Sequence, residues 1–342
     1  MKRHYLGLTA VASLLMGNTA LATDVFHMPA GQTSLVMVPV GDSGNAADTT
    51  GYGSVSYAYN IGKYDVTAGQ YTAFLISVAA TDTYGLYNLS MLNSSFGCGI
   101  TQSSSHGVCT YSVDPAFVNR PVTNVSFWDT CRFANWLNNG QPIGAEGVGT
   151  TETGAYTLTL TGIANNAITR NTGATWAVPT ENEWYKAAYY NPATSSYYLY
   201  PTSSNTAPGN NLADLSGNNA NYWSPAVTCP IEPPYYTTVV GLFKNSASPY
   251  GTFDQGGDVW QWNETIIDGP DRGMRGGSFG YGDGTPTFTV YNLESTARYN
   301  FHLPTNAEID HGFRVVEVPE PASLSTLALS ACALLFRRRR FH

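Results

Sequence analysis

Between about Val25 and Val318 only three segments carry a full set of helix start signals. Thr67-Ala-Gly-Gln70 is a capping box, followed by Tyr71, Phe74, Leu75 and Val78 at helical spacing. Ser126 precedes Phe127-Trp128-Asp129, and Cys131, Ala134, Trp136 and Leu137 continue the apolar stripe until Asn139-Gly140 ends it. Thr180-Glu-Asn-Glu183 is a second capping box, opening a helix from Trp184 to about Tyr189. Elsewhere the pattern is short strands and long polar loops. Thr157-Leu-Thr-Leu-Thr161 alternates as a half-buried strand, and Asn165-Asn166 is a turn before its partner. The tract from Asn191 to Pro234, rich in Asn, Ser, Pro and Tyr, reads as mostly irregular. No linker interrupts this body and no repeat of 20–50 residues runs through it. One α+β domain with little regular structure fits best.

Composition agrees. Apolar residues make up 43% of the chain, which excludes disorder, while charged residues are only 12%. That is too few for the Glu, Lys and Arg pattern of coiled coils and helical bundles. The 34 Gly and 23 Tyr suit a loop-rich domain outside the cytosol. A net charge of −8 argues against a nucleic-acid partner.

The ends differ from the body. Lys2, Arg3 and His4 precede an apolar run to about Met16, and Ala20-Leu21-Ala22 supplies a small-x-small cleavage pattern, so residues 1–22 read as a secretory signal peptide. At the other end Pro319-Glu320-Pro321 leads into fifteen apolar residues, Ala322 to Phe336, and then Arg337, Arg338, Arg339 and Arg340. That run is shorter than the roughly 20 residues of a stable spanning helix, and the arginines would stay on the cytoplasmic side. Segment 318–342 resembles the PEP-CTERM sorting tag. The resemblance implies an exosortase-type protease as partner, a transient inner-membrane anchor, and release to the cell envelope or outside. Six of the 16 basic residues but one of the 24 acidic residues lie in the two ends, so the body carries about −13. An anionic exported domain attracts cations.

Cys98 and Cys109 flank a Ser/Gly-rich loop and are a disulfide candidate in an oxidising compartment. Cys131 falls on the second helix and reads as core, Cys229 has no evident partner, and Cys332 lies in the tag. The six histidines show no metal-binding spacing, and His302 and His311 read as loop surface. Gly276-Gly-Ser-Phe-Gly280 has the letters of a nucleophile elbow, but Tyr-Gly-Asp-Gly-Thr-Pro after it cannot start the helix that motif requires.

Several pieces in order resemble the formylglycine-generating-enzyme, or sulfatase-modifying-factor, family. They are Met37-Val-Pro-Val40, Ile61 to Thr67 with Gln70-Tyr71, Arg120 to Ser126, Asn135-Trp136-Leu137, Val178 to Trp184, Tyr250-Gly251 with Gly257 to Trp262, Arg275 to Phe279, and Gly312-Phe-Arg314. The resemblance spans residues 23–317 and implies a large variant of the C-type-lectin fold, with low regular secondary structure and calcium in its core. The enzymes of the family oxidise a substrate cysteine with copper held by two cysteines, three and eight residues past the serine of the Gly-Gly-Ser motif. Counting from Ser278, those positions hold Tyr281 and Pro286, which supply no thiolate for copper(I). Copper is therefore not expected, and Ser278, Trp260 and Arg298 match a pocket without its redox centre.

For calcium, the matching positions are Asp254, Gly257, Val259 and Gln261, with Asn221 and Tyr222 resembling part of a second site whose acidic partner is not placed. The expectation is an exported, non-catalytic binding or structural protein of the bacterial surface or extracellular matrix. Its partner would be a polysaccharide, stacked on the tyrosines between Tyr189 and Tyr236, or another surface protein. The alternative is a formylglycine-generating oxidoreductase acting on a sulfatase cysteine.

Overall fold

The computed structural model describes residues 35–318, except residues 94, 225–229, 268, 281–287, 300 and 301 and the side chains of 288 and 289. The leader, the tag, Cys229, Tyr281 and Pro286 lie outside the described residues. In chain order the main elements are strands β1 (Met37–Val40) and β2 (Tyr59–Gly62), helix α1 (Ala68–Val78), the hairpin β3 (Ile100–Ser105) and β4 (Val108–Val113), and helix α2 (Phe127–Asn138). There follow α3 (Leu160–Ala164), β5 (Trp176–Ala177), α4 (Glu181–Tyr189), β6 (Tyr190–Asn191) and β7 (Ser196–Tyr197). The last strands are β8 (Trp260–Ile266), β9 (Arg272–Arg275), β10 (His311–Gly312) and β11 (Val316–Glu317). Among the described residues no helix is long and apolar enough to cross a membrane.

The three helices start where the sequence places them. Thr67 accepts from the Gln70 backbone N–H at 3.2 Å, and the Gln70 side chain accepts from the Thr67 N–H at 2.9 Å. Ser126 with Asp129 and Thr180 with Glu183 repeat that reciprocal arrangement. Helix α1 lays Tyr71, Phe74 and Leu75 against α2, where Phe133 and Trp136 meet them ring on ring. Phe313, next to the C-terminal strands, packs into the same cluster. Those strands close the molecule. Strand β11 inserts between β2 and β5 in the sheet β1-β2-β11-β5, so the last described residues join the sheet that the first strand begins. A second sheet, β10-β8-β9, joins β10 in parallel to β8.

Two expectations fail. The strand at Thr157–Thr161 is replaced by the single turn of α3, because Thr159 caps it by accepting from the Gly162 N–H at 3.0 Å. Leu158 is buried while Leu160 is exposed, so the two leucines do not share a face as strand alternation requires. Only the Tyr156–Arg170 bridge remains of the expected pair. Cys98 and Cys109 are free thiols. The hairpin register sets Cys109 opposite Ser104, whereas Cys98 precedes β3 altogether, several residues beyond the reach of a disulfide. Cys98 instead donates to the Thr123 carbonyl, and burial pushes its thiol up to about 11.

Where ladders are short, arginines supply the missing donors. Arg272 bonds the backbone oxygens of Glu264 and Ile168 at 2.6 Å each, that of Asn166 at 3.3 Å, and the Asn166 side chain at 2.6 Å. Lys lacks the planar fork that reaches all four acceptors, and each buried carbonyl it leaves unbonded costs about 1–3 kcal/mol. Arg272→Lys is therefore expected to lose about 3 kcal/mol, read as a lower urea midpoint at unchanged slope.

Candidate functional site

The parallel pairing of β10 with β8 sets His311 beside Trp260 and lets the Trp260 N–H donate to the Asp310 carbonyl at 2.8 Å. The Asp310 side chain thereby meets Ser278, whose Oγ donates to Asp310 Oδ2 at 2.5 Å while accepting from the Gly280 N–H at 3.0 Å. Burial raises the Asp310 carboxyl above its ordinary range, against the pull of the Ser278 bond. Trp260 stacks on Tyr299 at 4.7 Å. Ser278 and Trp260 thus gather around Asp310, a residue the sequence did not single out. Arg298 is committed elsewhere: its guanidinium forms a two-point pair with Glu181 at 2.9 and 2.7 Å, and Arg275 bonds the same carboxylate at 2.8 Å. The Ser278 hydroxyl is thus engaged by a carboxylate rather than by a histidine.

His302 and His311 are not loop surface. They are 9% and 1% exposed, and their rings meet edge to face at 4.5 Å beside Trp262. The parallel strand pairing buries His311, and no sequence periodicity announces so short a strand.

The positions matched to calcium converge on one place. Asn221 and Gly257 form a parallel bridge, so the two sites read separately from sequence are neighbours. Gly257 takes φ +82°, and a methyl there would overlap the Asn221 carbonyl. The acid beside Asn221 is Asp258, which the sequence did not single out. Its carboxylate accepts from Asn221 Nδ2 at 3.0 Å and from the Thr238 N–H and hydroxyl at 2.9 Å each. Tyr222 stays peripheral, donating its hydroxyl to the Pro208 carbonyl. Asp254 accepts from the Gly241 N–H at 2.6 Å. Val259 is buried in the same turn as Gly257.

Gln261 does not fit as a calcium ligand. Its side-chain oxygen already accepts from Trp184 Nε1 and from the cationic Arg314 Nε at 2.6 Å each, and its nitrogen donates to the Asp254 carbonyl at 2.7 Å. The surroundings are nonetheless short of positive charge. Asp65 and Asp258 are buried and Asp254 is partly buried, and Arg314 is the guanidinium paired with Asp65 at 3.2 Å. Asp65 Oδ2 and Asn221 Oδ1 are buried acceptors without a donor. Burial pushes Asp254 up to about 6, and burial with the neighbouring Asp254 charge pushes Asp258 to about 7. Asp254 and Asp258 both sit at φ near +60°, a conformation that Asp and Asn tolerate better than most residues.

Residues 22–318 match the FGE-sulfatase model, the sulfatase-modifying factor enzyme 1-like domain. The chain belongs to this family. As a sulfatase-modifying-factor-like protein it shares its fold with Treponema denticola variable protein 1, at 20% identity over 87% of this chain and 99% of that one, with a TM-score of 0.51. It is also similar to CarF, at 20% identity over 83% and 98% of the two chains (TM-score 0.49), and to PvdO from Pseudomonas aeruginosa, at 15% over 87% and 98% (TM-score 0.45). No curated protein matches the chain. Sequence reasoning placed this family member's Ser278, Trp260 and Asp254 but missed Asp310 and Asp258. The Gly-Gly-Asp run at residues 256–258, with glycines beside an acid that takes a left-handed turn, was the available signal for Asp258.

The raised carboxyls set the sign of a pH effect. Their favourable contribution is full below the ordinary value of 3.8 and is lost as pH rises through about 6 and 7. In chelator the melting temperature should fall over that window, and Asp258→Asn should flatten the fall.

Proposed function

We propose that this sulfatase-modifying-factor-like chain is an exported, non-catalytic binding protein of the bacterial surface or extracellular matrix. Residues 1–22 act as the export signal, and 318–342 act as a PEP-CTERM tag that an exosortase-type protease removes from a transient inner-membrane anchor. Residues 23–317 are the working domain, and its scant regular structure supports the reading as a large C-type-lectin variant. The observation that carries the non-catalytic reading is the replacement of the copper-binding cysteine pair by Tyr281 and Pro286. The retained residues agree with it, since Ser278 is spent on Asp310 and Arg298 on Glu181. Copper-dependent oxidation of a sulfatase-type cysteine peptide by the purified protein, measured as aldehyde formation, is expected to be nil, and turnover would overturn the reading.

The ligand class follows from what is exposed. Of the eight tyrosines expected to stack on sugars none is fully exposed, and four pack the loops: Tyr189, Tyr190, Tyr200 and Tyr222 are buried. Their hydroxyls are spent on Leu293, Asp42, Glu294 and Pro208. A different face is bare. Ile143 and Val148 are almost fully exposed, with Ile76, Tyr84 and Val108 also exposed. Gly144 N–H to the Ser77 carbonyl, Tyr84 N–H to Glu146 and Cys109 N–H to the Ala80 carbonyl draw those segments to one end. Such a patch suits another surface protein better than a polysaccharide. Binding to isolated matrix should survive glycosidase treatment of the matrix, fail after protease treatment, and weaken in the Ile143→Asp/Val148→Asp variant; the opposite enzyme sensitivity favours a polysaccharide.

Calcium belongs to this proposal through Asp254, Asp258 and the undonated Asn221 Oδ1, not through Gln261. Calcium should raise the melting temperature more at pH 7.5 than at pH 5, where protons already discharge the two carboxyls.

A further inference from the structure

His302, Glu308 and His311 bring one ligand atom each to within 4.8 Å of one another. His302 Nδ1 lies 3.5 Å from Glu308 Oε1, and His311 Nε2 lies 3.9 Å from Glu308 Oε2. Ligands around a tetrahedral zinc ion, with bonds of about 2.0–2.1 Å, are about 3.4 Å apart. The half-exposed Glu308 can shorten its own two distances by rotating.

The backbone holds the three in place. The His311 N–H donates to the Glu308 carbonyl at 3.1 Å, the Asn124 N–H donates to the same oxygen at 2.9 Å, and the Arg272 N–H donates to the His302 carbonyl at 3.2 Å. The side-chain atoms, by contrast, have weak partners. The Asn306 amide reaches His302 Nδ1 only at 3.4 Å and Glu308 Oε1 only at 3.5 Å, both longer than good hydrogen bonds. His311 Nδ1 is buried with no hydrogen-bond partner.

We propose that His302, His311 and Glu308 form a binding site for a divalent transition ion of the zinc kind, with the remaining position open to water on the Glu308 side. Two imidazoles and one carboxylate are a donor set for such an ion rather than for calcium, which takes oxygens. Trp262 and Tyr299 wall the rings on the protein side. The site is separate from the acidic set at Asp254 and Asp258 and independent of the function proposed above.

The test is titration of the full-length chain, purified in detergent and stripped with chelator, with Co2+ and then Zn2+. One equivalent of Co2+ should give the intense visible absorption of a low-symmetry site, and Zn2+ should displace it. His302→Ala and His311→Ala should weaken binding by more than about 100-fold, the upper end of what even outer partners contribute. Glu308→Gln, at a half-exposed position, should weaken binding while leaving the metal-free melting temperature unchanged, which separates loss of a ligand from loss of the fold. Absence of saturable one-to-one binding overturns the proposal, as does binding that His302→Ala and Glu308→Gln leave unchanged.

Discussion

The fold hangs on guanidinium groups buried where loop backbone needs donors. The body between residues 35 and 318 has seven arginines, and each one is bonded inside the molecule. Arg314 reaches the backbone oxygens of Gly62 and Phe253 as well as Asp65 and Gln261, joining β2, β8 and the 253 loop. Arg275 bonds the Ser295 and Ala297 carbonyls, and Arg120 those of Ala116 and Thr237. A buried carbonyl without a partner is costly, and a guanidinium offers five donors in a fixed fork. Irregular backbone can therefore be interior here, provided arginines are placed where ladders are absent.

That economy explains the charge balance. A body at about −13 with most of its arginines buried leaves its exterior acidic, and it also buries carboxylates to partner those cations. Most are matched, as Glu181 is by Arg275 and Arg298. The Asp65, Asp254 and Asp258 group is not, because one guanidinium faces three carboxylates. Such an imbalance is unfavourable at neutral pH unless a proton or a cation relieves it. Two of its members, Asp254 and Asp258, lie in the turn before the strand that carries Trp260 and Gln261, which links charge, the second sheet and the candidate site.

The legible part of this structure is its local part. The three helices, their caps and their buried stripes follow from side chains within four residues of one another, as Thr67, Ser126 and Thr180 show. Ser278, Trp260 and Asp254 could be picked out because their motifs are contiguous. Asp310 could not, because it reaches Ser278 through the pairing of a two-residue strand. The Thr157–Thr161 alternation misled because Thr159 also offers a cap, and one capped turn buried Leu158 without a partner strand. The Cys98–Cys109 expectation erred for a related reason: closeness in sequence said nothing about hairpin register.

By itself, then, the sequence determined a loop-rich mix of small helices and strands, its helix starts and its family, since each is written in contiguous residues. Tertiary structure alone decided which residues meet. It turned the tyrosines of the irregular tract inward, gave Gln261 to Arg314 rather than leaving it free, joined Asn221 to Asp258, and drew His302, Glu308 and His311 together. Those outcomes depend on strand pairings and buried guanidinium bonds between segments far apart in the chain, and no local pattern of side chains encodes them.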